Sequence, residues 1–280
     1  MNPRLSLAAL SVLHLAPPDM VTCAADAGYG ALGLRVLPAT ADEPAHPDFV
    51  GDTQLVRDVE RRLRETGVRV LDVEILRLRA DTDVLAYLPA LETAARLGAR
   101  NALVAGNDAI ASRLVARFAA LCELGAPLGI SFNLEPMPWT DVRNFAQALR
   151  IVEESGQPNA AVLVDAIHFD RAADDPGEIR RAPPDRLRYV QLCDAPAERP
   201  RDTDTLLRQA RTARLMPGDG GLDLCAILRA LPRHLPVSLE VPMPDLAREI
   251  GAVAFARRLR AKAEAVLARA ETHAETERTT

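Results

Sequence analysis

Lysine is almost missing from this chain. The one lysine, Lys262, lies in a C-terminal stretch, ARRLRAKAEAVLARA, that reads as an exposed helix. Schiff-base aldol chemistry, pyridoxal phosphate attachment and a Walker-type phosphate loop each need a lysine in the site, so none has a candidate here. Cysteines are few and scattered. Cys23, Cys122, Cys193 and Cys225 form no CxxC pair, which argues against a zinc ribbon or a disulfide framework and fits reduced thiols in a cytosol. Cys193, inside an apolar run, reads as a structural thiol rather than a nucleophile. Basic charge is short as well: the net charge is −5 and the pI near 5.6, without the footprint that nucleic acid requires. No apolar run approaches the ~18 residues of a membrane span. The N-terminal MNPRLSLAALSVLHLAPPDM imitates a secretory leader, but His14 interrupts its apolar run, and Pro17, Pro18 and Asp19 suit a turn and a helix start. A cytoplasmic protein with no nucleic-acid or membrane partner is the expectation.

What remains is an ordinary globular composition, 48% hydrophobic and 26% charged over 280 residues. Short apolar runs alternate with longer amphipathic segments. The strands are predicted near 5–13, 31–36, 68–76, 100–105, 128–135, 160–165, 187–193 and 236–241, and helices near 18–28, 52–66, 82–98, 108–125, 141–155, 176–182, 222–231 and 243–270. Gly28, Gly67, Gly98 and Gly156 stand where helices end, and Asp52, Asp81, Asn107 and Thr140 where helices begin. Eight βα units at about 35 residues each predict an α/β fold, a single (β/α)8 TIM barrel over residues 1–270. A doubly wound open sheet would want a glycine-rich turn after its first strand, and LSVLHLAPP has none. Residues 271–280 are polar and read as a frayed tail.

Four strand-like runs carry an oxygen ligand at or near their ends: ISFNLEP ends at Glu135, AAVLVD at Asp165, LRYVQL carries Gln191, and PVSLE ends at Glu240. Strand ends of a parallel barrel converge on one rim, so these four can meet around a hard divalent cation. Any one acid alone could be a helix cap or a surface ion pair. Four on strands five to eight form a pattern. His168 follows Asp165 by three residues and can touch substrate without binding metal. His14, Glu74 and Asn107 are weaker rim candidates, each with a bland reading as a cap or hydrogen-bonder.

The segments AGYGALGLRV, NLEPMPW, LVDAIHF, YVQLCDAP, RLMPGDGGLDL and SLEVP, spread over residues 5–260, resemble the xylose isomerase-like barrels, in particular their sugar phosphate isomerase/epimerase group. The resemblance implies Glu135, Asp165, Gln191 and Glu240 as metal ligands, with Mn2+ or Mg2+ expected and Co2+ or Zn2+ as alternatives. Many members have histidine where Gln191 stands. It implies Glu135 and Glu240 as the catalytic acid–base pair, and His168 and Arg214 as substrate-binding residues. The activity it implies is isomerisation or epimerisation of a small polyhydroxy carbonyl compound (a ketose, keto-sugar or cyclitol) by proton transfer through an enediolate.

The nearest rival is a metal-dependent lyase of the 3-dehydroshikimate dehydratase type. Such enzymes tend to carry a histidine after the first glutamate, where this chain has Pro136, Met137, Pro138 and Trp139. An abasic-site endonuclease would need more histidines than the five present. A barrel that binds a ligand without turning it over is the bland alternative. The long stretch from Cys193 to Gly221 holds Arg199, Arg201, Arg208, Arg211 and Arg214, and reads as a binding loop or as a surface loop with a short solvated helix. Its arginines leave a phosphorylated substrate open, and a homo-oligomer is open too.

Overall fold

A computed structural model describes residues 1–39, 46 and 48–276, with the side chains of 273–276 outside the description. Eight parallel strands close in sequence order into one barrel: β1 (Asn2–Leu7), β2 (Tyr29–Arg35), β3 (Arg69–Arg79), β4 (Asn101–Asn107), β5 (Ser131–Glu135), β6 (Ala160–Asp165), β7 (Leu187–Leu192) and β8 (Val237–Leu239). The helices are α1 (Pro17–Asp26), α2 (Gln54–Thr66), α3 (Leu88–Arg96), α4 (Ala111–Gly125), α5 (Phe145–Glu154), α6 (Ala166–Arg171), α7 (Pro176–Arg181), α8 (Thr203–Thr212), α9 (Leu224–Ala230), α10 (Pro244–Ile250) and α11 (Ala252–Thr276). The expected barrel is therefore present. The stretches ALVAG of β4 and AAVLV of β6 are apolar because one face meets the barrel interior and the other the helices.

Local chemistry sets the boundaries. Gly28, Gly67, Gly98 and Gly156 all take the left-handed conformation expected of helix ends. The expected starts are displaced by one to four residues. Thr53 rather than Asp52 caps α2, Asp83 rather than Asp81 opens the turn before α3, and Asn144 rather than Thr140 caps α5. Ile110 rather than Asn107 stands at the α4 N-terminus, with its amide bonded to Asp108.

The first strand is shorter than the 5–13 predicted. The chain turns at Ala9–Val12, where the Ser11 hydroxyl donates to the Leu239 carbonyl at 2.9 Å and accepts from the Val241 amide at 2.7 Å, fastening the turn over the end of β8. The predicted 243–270 helix is two helices, divided at Gly251, whose φ of +85° no helix tolerates. The C-terminal helix is not the exposed one expected. Phe255, Leu259, Ala263 and Val266 on its inner face are buried against the barrel, and Lys262 on its outer side pairs with Asp219. Helix α11 runs on through Thr276, and residues 277–280 of the tail lie outside the described residues. Among the described residues no helix is long and apolar enough to cross a membrane.

A docked α11 has an energetic consequence. Phe255 is fully buried, so Phe255→Ala is expected to lower unfolding free energy by about 3–5 kcal/mol, measured by denaturant titration. A change under about 0.5 kcal/mol would return the helix to the surface.

Candidate active site

The pleat decides which residues reach the barrel axis. Register pairs Arg35 with Glu74, Ala105 with Glu135 and Asp165 with Gln191, so these positions form one inward ring at the strand ends. Glu240 follows β8 directly and joins them. Glu135, Asp165, Gln191, His168, Arg214 and Glu240 are all buried. Glu135, His168, Arg214 and Glu240 line a chamber of about 410 Å³ together with Glu74, Arg35, Arg77, Arg211 and Trp139, while Asp165 and Gln191 are not part of that lining.

Arg214 is the hub. Its guanidinium donates to Asp165 Oδ2 at 2.5 Å and to Glu240 Oε2 at 2.7 Å, while its Nε donates to the Ala210 carbonyl at 2.8 Å. Burial opposes the charge on Arg214, but the two carboxylates outweigh it and hold the guanidinium well above its ordinary range. In return Arg214 overcomes the burial of Asp165 and keeps that carboxyl below its usual 3.8. Asp165 is also the N-cap of α6, accepting from the Ile167 amide at 2.9 Å. The bland reading of this residue as a helix cap is thus realised in the same carboxylate that faces Arg214.

A second carboxylate places Arg214. Asp194, just after β7, accepts from the amides of Ala195, Gly218, Gly220 and Leu222 at 2.9–3.1 Å. Backbone bonds run both ways between Asp194 and Leu215. A Cβ on Gly220 would lie 2.3 Å from the Ala195 carbonyl oxygen and 2.4 Å from Asp194 Oδ1, so only glycine fits this fold of chain. The PGDGG segment is therefore the wrapping of a buried carboxylate. It fixes the loop from three residues beyond Arg214, and the rest of the long stretch contains α8.

The remaining acids are strained by burial. Glu135 is pushed well above the usual carboxyl range by burial and then by Asp165 and Glu240. Glu240 is raised to about 8 by burial, against the pull of Arg214. His168 goes the other way, lowered to about 4 by burial, so it is neutral at pH 7. Its ring meets Trp139 edge-on at 4.9 Å, and its Nε2 lies 3.9 Å from Glu135 Oε1.

The donor set suits a cation. Glu135, Asp165 and His168 each offer a ligand atom within 4.8 Å of the others. Glu135 Oε1, His168 Nδ1 and Gln191 Oε1 are buried polar atoms without a hydrogen-bond partner among the described residues. Gln191 Nε2 donates to Glu240 Oε1 at 3.2 Å, which turns the orphaned amide oxygen away from that carboxylate. Carboxylates with one amide oxygen or one imidazole are the ligands of Mg2+, Mn2+ or Zn2+. His168, expected only beside substrate, lies among these donors. Cys193 is buried and its thiol is pushed up to about 12, as a structural role requires.

Of the weaker candidates, Glu74 belongs to the chamber wall and pairs with Arg35 at 3.0 Å. Asn107 accepts from Arg77 at 3.3 Å in an adjoining recess. His14 lies outside the chamber lining, exposed near Arg248. Sequence reasoning missed Arg35, Arg77, Trp139 and the layer beneath. There, Tyr189 donates to Asp72 Oδ2 at 2.9 Å, while Asp72 Oδ1, Ser6 Oγ and Ser238 Oγ have no partner. A Cβ at Gly33 would stand 2.8 Å from Asp72 Oδ1 and 3.2 Å from Glu74 Oε1, so glycine makes room for both acids. The two-residue spacing of Asp72 and Glu74 in β3 was the available signal.

With this geometry in hand, comparison with known proteins is informative. Residues 21–265 match the family model described as xylose isomerase-like TIM barrel. A curated 3-dehydroshikimate dehydratase of Pseudomonas aeruginosa is 31% identical over 125 residues, 43% of this chain and 19% of the relative. The chain spans about a quarter or less of the length of the curated relatives it matches. A solved xylose isomerase-like TIM barrel/4-hydroxyphenylpyruvate dioxygenase fusion protein superposes with a TM-score of 0.82 at 20% identity, covering 99% of this chain and 44% of the fusion. An L-ribulose 3-epimerase superposes with a TM-score of 0.68 at 20% identity, covering 98% and 97%.

The lower layer makes a pH signature. Burial raises Asp72 to about 7 from 3.8, so the folded state keeps a proton that the unfolded chain releases. Stability from this group is complete below about pH 4 and is lost as pH rises to about 7. Glu240 contributes with the same sign. Asp72→Asn is expected to flatten the fall of Tm between about pH 5 and 8, read by calorimetry. Superimposable wild-type and variant profiles would remove Asp72 from the linkage.

Proposed function

The chain belongs to the xylose isomerase-like TIM barrel family, and from the site it carries we propose a divalent-metal-dependent isomerase or epimerase of a small polyhydroxy carbonyl compound. One observation carries the proposal. Two buried carboxyls from opposite parts of the barrel, Glu135 on β5 and Glu240 after β8, line the same chamber with proton affinities raised by burial.

Glu135, Asp165, Gln191 and Glu240 would hold the cation, with His168 as the nearest substitute ligand. A bound divalent cation supplies Lewis acidity to the substrate's carbonyl oxygen, lowering the acidity barrier of the neighbouring C–H bond. The protein's own residues move the proton. One of Glu135 and Glu240 takes it from the carbon beside the carbonyl, and the other, in its protonated form, returns one. Without a cation, burial raises Glu240 and favours its protonated form; a bound divalent cation would favour the ionised form that accepts a proton. Arg214, 2.7 Å from Glu240 Oε2, steadies the ionised form of that carboxyl. Neutral His168, its ring held by Trp139, can donate or accept at a substrate hydroxyl without adding charge.

A lyase reading has one observation in its favour: the curated relatives that match are named 3-dehydroshikimate dehydratase. Removal of the same proton followed by loss of a β-hydroxyl as water would give that outcome. The two readings share a first step and part at the second.

Metal-loaded protein is expected to wash deuterium from D2O into one carbon of a keto-sugar, keto-acid or cyclitol substrate, followed by NMR. Chelation should abolish the exchange, and Mn2+ or Mg2+ should restore it. Glu240→Gln should reduce it at least about 100-fold with Tm retained; undiminished exchange in that variant ends its role as a base. Incubation with 3-dehydroshikimate sorts the readings: an aromatic chromophore selects dehydration, and exchange without one selects isomerisation.

A further inference from the structure

We infer that the substrate carries an oxyanion, a carboxylate or a phosphate, and that Arg77 and Arg211 bind it at the outer end of the chamber. The inference rests on reading this chamber as the substrate site and narrows what enters it.

Arg77, Arg211 and Trp139 line both the chamber and an adjoining recess of about 480 Å³, which Arg79 and Asn107 also line. An occupant reaching from Glu135 past Trp139 therefore arrives among guanidinium groups. Arg77 is half-buried at the end of β3. Its Nε donates to the Ala39 carbonyl at 3.0 Å and its Nη1 to Asn107 Oδ1 at 3.3 Å. Those are neutral acceptors, and they orient the guanidinium without an ion pair among the described residues. Among the described residues no carboxylate lies within ion-pair distance of Arg77, Arg79 or Arg211, although other arginines of the molecule have such partners. Arg214 has Asp165 and Glu240, Arg113 and Arg117 share Asp108, and Arg96 has Glu60 and Asp52.

In a chain of net charge −5, carboxylates are not scarce. Gathering like charges at a partly desolvated mouth costs stability unless an anion joins them. The neighbouring cations press on Arg77: burial, Arg79, Arg211 and Arg35 all oppose its charge, with Glu135 the opposing influence. Glu135 belongs to the proton-transfer set, so it is not a structural counter-ion free to turn outward. A guanidinium offers parallel N–H donors matched to carboxylate or phosphate oxygens. The chamber thus has a proton-transfer end and an oxyanion end, joined beneath Trp139.

Trp139 is the chain's single tryptophan, so its fluorescence reports occupancy of this chamber without need of turnover. Mg2+-loaded protein would be titrated at fixed ionic strength with ribitol, ribonate and ribitol 5-phosphate. At least one charged probe is expected to bind about tenfold tighter than ribitol or better. A preference for ribonate assigns a carboxylate; a preference for the phosphate ester assigns a phosphorylated substrate. Arg77→Gln should erase most of the advantage. Arg211→Gln, on the exposed side of α8 and free of structural contacts, should weaken it several-fold. Arg229→Gln, in a separate groove beside Arg4, should leave it unchanged. Equal responses to all three probes, no response to any, or an advantage that survives both Arg77→Gln and Arg211→Gln overturns the inference. Anion preference without proton exchange would instead sink the isomerase reading alone, and exchange without anion preference would sink only this one.

Discussion

Everything in the chamber is arranged around a guanidinium wedged between two carboxylates. Arg214 joins the end of β6 to the end of β8 and is itself sealed from water. Without it, Asp165 and Glu240 would repel across a medium that screens poorly. With it, Asp165 is fixed as an anion while Glu240 stays adjustable. The same wedge cannot neutralise every acid nearby. Glu135, Glu240, Glu74 and Asp72 share Arg214 and Arg35 as their close cations, and burial raises Glu135, Glu240 and Asp72 in consequence. Such an excess of buried carboxyls can be relieved by retained protons or by a bound cation, which links the proton chemistry to the metal fit.

What could be read from sequence follows from periodicity. Alternation of apolar runs and amphipathic segments gives the barrel, and glycine at helix ends gives the boundaries, because both signals are local. Glu135, Asp165, Gln191 and Glu240 were legible because each interrupts an apolar run where a strand stops. Asp72, Gly33, Ser6 and Ser238 were not, since inward and outward positions of a strand depend on register around a closed sheet. Arg77 was lost for a different reason: a charged residue in the alternating LRLR of β3 looks like a solvated one. Helix starts slipped because Asp, Asn and Thr cap about equally well. The loop then decides which of them is used. The C-terminal helix misled because the charged residues of ARRLRAKAEAVLARA hide the buried face made by Phe255, Leu259, Ala263 and Val266.

Proton removal beside a carbonyl is common to isomerisation, epimerisation and dehydration, and a pair of carboxyls placed like Glu135 and Glu240 suits all three. The outcome is decided at the neighbouring carbon, by what the substrate can lose and which group stands ready to protonate it. In the reading proposed above those determinants are His168, Trp139 and the arginine end of the chamber, with His168 also among the possible cation donors.

Asp194 gives the division between the chamber's two ends a mechanical form. By gathering four amides around one buried carboxylate, it ties down the chain on the far side of Arg214. Helix α8, which carries Arg211, is left as an outboard segment of that tethered loop. Changes along α8 can retune what the mouth admits while the wedge stays put, so new substrate preferences are accessible to this scaffold without rebuilding its catalytic floor.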